Sequence, residues 1–177
     1  MPDLLTHFAV AFALIAPFLG IKKALIAGII ALIPDIDVLL HLHRYISHSI
    51  IVLLILTLPI AYLISKIGIK WKTSILMIIA LITHPILDMF QSYTPILYPL
   101  FSSIFIDVKS GFLLGKEISP YFDLIIHTKS FDFTPFVSMD GPLFTNETLP
   151  ISFVLIIVPI IYSLVKSESI KSNHEYK

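Results

Sequence analysis

His7, Asp35, Asp37, His48, His84 and Asp88 punctuate a chain otherwise dominated by apolar residues. Neutral imidazole and carboxylate together suit zinc, and also manganese or iron. The chain has no cysteine, so thiolate ligation and disulfides are both excluded. His84 and Asp88 are spaced i, i+4, which puts them on one helix face where they can bind one ion together. Pro85 between them removes a helical hydrogen bond and can kink the helix. Asp35 and Asp37 follow Pro34 in a turn, where one could ligate while the other orients a histidine. Imidazole titrates near neutrality, which suits His43 to general acid or base work. Arg44 could hold a phosphate by a bidentate contact.

Each residue also has a plainer reading. His7 could be an interfacial polar residue, and the aspartate pair a solvated turn or a helix cap. Arg44 could be a snorkelling charge, and His84 with Asp88 a hydrogen-bonded structural pair. His41 reads as exposed. Asp107, Asp123, Asp132 and Asp140 read as loop charges, and His127 is undecided. The plain readings weaken jointly, because ionisable groups within apolar helices are costly and default to function.

The elements that must carry these residues are membrane-like. Of 177 residues, 56% are hydrophobic and 14% charged, with a mean hydropathy of +0.92. Soluble domains run at roughly 45–50% and about 25%. Net charge is zero and there is no basic stripe, so nucleic-acid binding is unsupported. The N-terminal stretch lacks a basic leader and a small-residue cleavage site, so it reads as a retained helix rather than a signal peptide. Residues 4–19, 48–65, 73–89 and 149–165 approach the roughly 17–25 apolar residues of a spanning helix. The runs 24–33 and 96–106 are too short to span and suit half-helices or re-entrant segments. The expectation is an all-α polytopic bundle with four or five spanning helices, a short half-helix and an extramembrane loop. Residues 1–166 form one membrane domain, 107–148 the extramembrane loop, and 167–177 a polar tail that frays.

Threading these segments alternately across a bilayer brings His7, Asp35, Asp37, His41, His43, Arg44, His48, His84 and Asp88 to one face. Lys22, Lys23, Lys66, Lys70, Lys72, Lys166, Lys171 and Lys177 fall on the other. Short cytoplasmic loops carry the basic excess, so the polar cluster is expected on the extracytoplasmic face of the plasma membrane. The sequon Asn146-Glu147-Thr148 falls on the same face. The spacing predicts that Asp37, His48, His84 and Asp88 converge within one ion's reach, with His7 approaching the same centre.

The set Thr6-His7, Pro34-Asp35-Ile36-Asp37, His43-Arg44-x3-His48-Ser49 and His84-x3-Asp88 resembles the YdjM-type, LexA-regulated membrane-bound metal-dependent hydrolases. The strings LDMFQSYTPILYPLF and DGPLFTNE look like that family too, and the resemblance covers most of the chain. The ligand order is more distantly similar to zinc-dependent phospholipase C. That pattern continues with a further histidine and a second His-x3-acid pair, which this chain lacks, so one or two ions are implied rather than three. The first reading is a hydrolase with a divalent metal, zinc fitting best, and a phosphoester or ester in a membrane lipid or lipid-linked substrate. His7, Asp37, His48, His84 and Asp88 would be ligands, with Asp35 a ligand, base or orienting partner, and His43 and Arg44 catalytic. The alternatives are a metal-ion or proton transporter, or a non-enzymatic protein with a structural polar cluster.

Overall fold

The computed structural model describes residues 3–42, 44, 46–114, 118–132, 134–138 and 141–175. Within them lie five α-helices: α1 (Leu4–Leu19), α2 (Ile21–Ile30), α3 (Ile50–Lys66), α4 (Trp71–Met89) and α5 (Leu149–Glu175). Short 3₁₀ segments at Ile33–Leu40 and Ile46–His48 link α2 to α3. Between α4 and α5, β1 (Ser103–Leu114) and β2 (Ile118–Lys129) pair as a two-stranded antiparallel ribbon.

This corrects the expected all-α bundle with four or five spanning helices. Among the described residues only Trp71–Met89 and Leu149–Lys166 are long and apolar enough to cross a membrane. The 16 residues of α1 and 17 of α3, at about 1.5 Å rise each, reach roughly 24–26 Å. A hydrocarbon core is about 30 Å thick. The run 96–106 is a set of turns leading into β1, not a half-helix. The last helix continues to Glu175.

Gly20 separates α1 from α2 by a single residue. Its φ of 76° lies in the left-handed region, where a side chain is strained. Its N–H caps α1 by donating to the Ala16 carbonyl at 3.0 Å, and the chain folds back so that α2 packs on α1. The seam is built of small side chains: Ala11, Ala16, Ala24, Ala27, Ala31 and Ala80 of α4 are buried with Phe12 and Ile15. Such residues let helix backbones approach closely. Gly28 is the tightest point, since a Cβ there would lie 2.5 Å from the Phe8 ring. Gly28→Val is therefore expected to lower stability by about 1–3 kcal/mol through overpacking. Thermal unfolding in detergent measures it, and an unchanged midpoint would mean the seam is loose.

Asp3 ties the N-terminus of α1 to the segment before α5. Its carboxylate is buried and accepts from the Thr6 N–H and hydroxyl, each at 2.8 Å, from the Thr145 N–H at 2.8 Å, and from the Thr148 hydroxyl. Burial alone would raise its pKa, but the bonds from Thr148, Thr6 and Thr145 hold it below the usual value. The Thr6 hydroxyl also meets that of Ser152 on α5 at 3.2 Å. Thr6 and the sequon's Thr148 thus have structural work, and together they bring the start of α5 against His7's helix.

Candidate metal centre

Four separate segments deliver the centre. His7 sits one turn into α1, Asp35 and Asp37 on the first 3₁₀ segment, His48 at the end of the second, and His84 and Asp88 on the last turns of α4. His7, His48, His84 and Asp88 are at most 2% exposed. His48 does not open α3; Ser49 is the N-cap, with its hydroxyl accepting from the Val52 N–H. The 3₁₀ turn before that cap turns the His48 ring inward.

Asp88 is the hub. Its Oδ1 lies 3.4 Å from His7 Nε2, and its Oδ2 lies 3.2 Å from His48 Nε2 and 3.8 Å from His84 Nε2. Asp35 Oδ1 approaches the same nitrogens from the other side, 3.2 Å from His84 Nε2 and 3.6 Å from His48 Nε2. The His7 and His84 rings stack with centroids 3.8 Å apart, and His48 meets His84 edge-on at 5.0 Å. Two overlapping groups result, His7–His84–Asp88 and Asp35–His48–His84, each with ligand atoms within 4.8 Å of one another. Buried histidines and aspartates in this arrangement could hold a metal ion.

Asp37 departs from the predicted convergence. Its Oδ2 lies 3.2 Å from His48 Nδ1, on the far side of the ring from Asp88, and accepts from the Ser47 hydroxyl at 2.7 Å. Ser47 also lies 3.1 Å from His48 Nδ1. Asp37 and Ser47 therefore grip the back of His48, while Asp35 faces the shared centre. Ser47 escaped sequence reasoning, and its only signal was a hydroxyl beside His48. The Nδ1 atoms of His7 and His84 are buried without a hydrogen-bond partner among the described residues.

Arg44 is also drawn in. Its Nε and Nη2 donate to Asp88 Oδ2 and Oδ1 at 3.1 and 3.4 Å. Arg44 further lines an open cleft of about 250 Å³ with Ser92, Ser103, Lys129, Asp132 and Thr134. His43 lies outside the described residues. His41 is exposed and its ring lies beside Phe136, and His127 stacks on Phe105 in the ribbon, so neither joins the centre. Asp107 pairs with Lys109 at 2.7 Å, and Asp132 with Lys129 at 3.4 Å. Asp123 stays on the ribbon, and Asp140 is outside the described residues.

The electrostatics suit a cation. Asp35, Asp37 and Asp88 bring three carboxylates against one guanidinium from Arg44. A divalent ion among neutral imidazoles would bring that set to zero charge. Without an ion, a proton on His48 goes part of the way. Burial pushes the His48 pKa down, but the hydrogen bonds with Asp35, Asp37 and Asp88 overcome this and raise it to about 10. Burial would raise the Asp35 pKa, but its hydrogen bonds with His48 and His84 hold it well below the usual carboxylate range.

Matching of the whole sequence decides the relationship. A family described as YdjM inner membrane protein matches residues 1–169. The chain belongs to that family. It is an inner membrane protein, and Trp71–Met89 and Leu149–Lys166 fit placement in the bilayer. The YdjM match spans every residue of the centre, from His7 to Asp88, and the ribbon as well. Among curated proteins and among solved structures, none matches the chain significantly.

Proposed function

We propose that this YdjM-family chain is a metal-dependent hydrolase acting at the membrane surface on a phosphoester or ester of a lipid or lipid-linked substrate. One observation carries the reading: imidazole Nε2 atoms and carboxylates from four segments meet at a largely buried point of this membrane protein. His7, Asp35, His48, His84 and Asp88 would hold the ion, and zinc suits three imidazoles with carboxylate. Bound there, it would polarise the scissile group and lower the pKa of water toward about 7. Asp37 and Ser47 fix the His48 ring and its tautomer. Asp88 holds Arg44 at the polar cleft, where Arg44 would present positive charge to an anionic substrate group beside the Lys129–Asp132 pair. His43 keeps its sequence-based role as general acid or base.

The test is metal content of protein purified without added metal, followed by turnover of a panel of phosphodiester and ester lipids. Bound zinc with turnover supports the reading, and metal without turnover moves it toward transport. A metal-free protein would favour a structural network, which the partial self-neutralisation by His48 makes concrete. Asp37→Asn should lower metal affinity or turnover about 10–100-fold, as for groups that orient a ligand. An effect as large as that of Asp35→Asn would reverse the two roles.

A pH profile probes the same centre. His48 has a folded pKa of about 10 against an ordinary 6.5. Its protonation therefore stabilises the metal-free fold fully below pH 6.5, and that contribution is lost as pH rises through about 10. The thermal midpoint of chelator-treated protein should fall between pH 7 and 10. A flat profile would mean that His48 is neutral without metal.

The extracytoplasmic location of the centre rests on charge. Lys66 and Lys70 precede the first span and Lys72 is its second residue, while Lys166 ends the second span and Lys171 follows it. A reporter fused after Lys72 should read cytoplasmic, and one placed within 107–148 extracytoplasmic. The reverse pattern would put the centre in the cytoplasm.

A further inference from the structure

The ribbon has one almost wholly apolar face, and among the described residues that face is exposed over its outer part. In β1 and β2, successive side chains alternate faces and directly opposed residues share one. The register pairs Val108 with Leu124, Phe112 with Pro120 and Leu114 with Ile118, all on the same face as Phe122, which sits opposite Ser110. Phe112 and Phe122 are each 66% exposed and Leu114 82%. The opposite face carries Asp107, Lys109 and Asp123, with Lys109 paired to Asp107, interspersed with Phe105, Leu113, Tyr121 and Ile125. Twelve residues per strand, at about 3.3 Å each, give a blade roughly 40 Å long. Its tie to the body is at the base, where Ile104 pairs with Thr94 and β1 meets α4.

We infer that this face docks on the lipid surface of the bilayer. The ribbon lies between the two candidate spans, and no helix intervenes among the described residues. Trp71–Met89 therefore ends, and Leu149–Lys166 begins, on one membrane face, and the ribbon is tethered there at both ends. A two-stranded ribbon has two open edges, whose backbone groups need water or headgroups, so it cannot enter the hydrocarbon core. It can lie in the interface with Phe112, Phe122 and Leu124 in the lipid and Asp107, Lys109 and Asp123 toward water. In water, an exposed apolar face of this kind on an open-edged ribbon would be an aggregation site. Docked, the blade fixes the depth of its own base, where Ser103 and Lys129 border the cleft beside Arg44. The inference does not depend on hydrolase activity.

The chain has no cysteine, so single cysteines can be placed and spin-labelled without background. The full chain in lipid nanodiscs, labelled in turn at each position from 121 to 126 and from 106 to 110, should show accessibility with a period of two. Labels at 122, 124, 126, 106 and 108 should relax strongly with oxygen and weakly with a water-soluble nickel chelate. Labels at 121, 123, 125, 107 and 109 should do the reverse. Two strands scanned separately keep the test informative if one labelled variant misfolds. Uniform nickel access on both faces would overturn the inference. So would spin–spin broadening at 122 and 124 that disappears on dilution with unlabelled protein, because the occupant would then be a second copy of the chain.

Discussion

Asp88→Asn is expected to reduce metal affinity and turnover together, by at least about 10–100-fold, while the helices stay folded. That range is typical of groups that only orient a ligand, and a direct ligand should exceed it. Asp88 is 2% exposed and touches His7, His48, His84 and Arg44. A carboxylate buried in the last turns of an apolar helix is costly without a compensating cation. Asparagine keeps its shape and a carbonyl acceptor but deletes the charge, so the imidazoles keep a neighbour while the ion loses its counter-charge. Metal analysis and a lipid turnover assay read the two losses, and circular dichroism checks the helices. Asp123→Asn, on the ribbon, should change neither. If Asp88→Asn kept its metal and turnover while His41→Ala lost both, the centre would have to be rebuilt around His41, His43 and Arg44.

The sequence carried the centre further than it carried the fold. Membrane character followed from composition, and the i, i+4 spacing of His84 and Asp88 led to one face of α4. The ribbon was missed although its signal was present. Ile106-Asp107-Val108-Lys109 alternates with a period of two, but its apolar start merged with the run from Ile96, and Asp107 looked like the start of a loop. The number of spans was overestimated because apolar length was judged by hydrophobicity. Runs near the short end of the spanning range were counted as spans, and α1 and α3, at 16 and 17 residues, fall short of a bilayer. Which of Asp35 and Asp37 faces the centre could not be read, because a 3₁₀ segment places residues two apart on different sides, and the direction of His48 depends on a turn with no periodic pattern. Asp3 was legible in principle: an aspartate followed three residues later by Thr6, just ahead of an apolar run, is a helix N-cap signal.

His84→Asn should have the other large effect, abolishing metal retention through dialysis and leaving turnover at background. His84 is the one residue common to both possible ion-binding groups. Its Nε2 lies 3.2 Å from Asp35 and 3.8 Å from Asp88, and its ring packs flat on His7 and edge-on to His48. Removing any other imidazole leaves one of the two groups complete, whereas removing this one breaks both. Alanine would also leave a cavity in a fully buried position and cost stability by itself, so asparagine is the cleaner probe and the thermal midpoint of the metal-free variant should be recorded beside it. A variant that melts like the parent without metal, but gains no stability when zinc is added, would separate lost ligation from lost packing. The parent should gain about 2.7 kcal/mol at zinc 100-fold above its dissociation constant. If His84→Asn still bound and was stabilised by zinc to the same degree, the ion would not sit between α1 and α4. The stacked His7 and His84 rings would then be a packing contact, and the search for ligands would return to His48, Asp35 and Asp37 on the far side of the cluster.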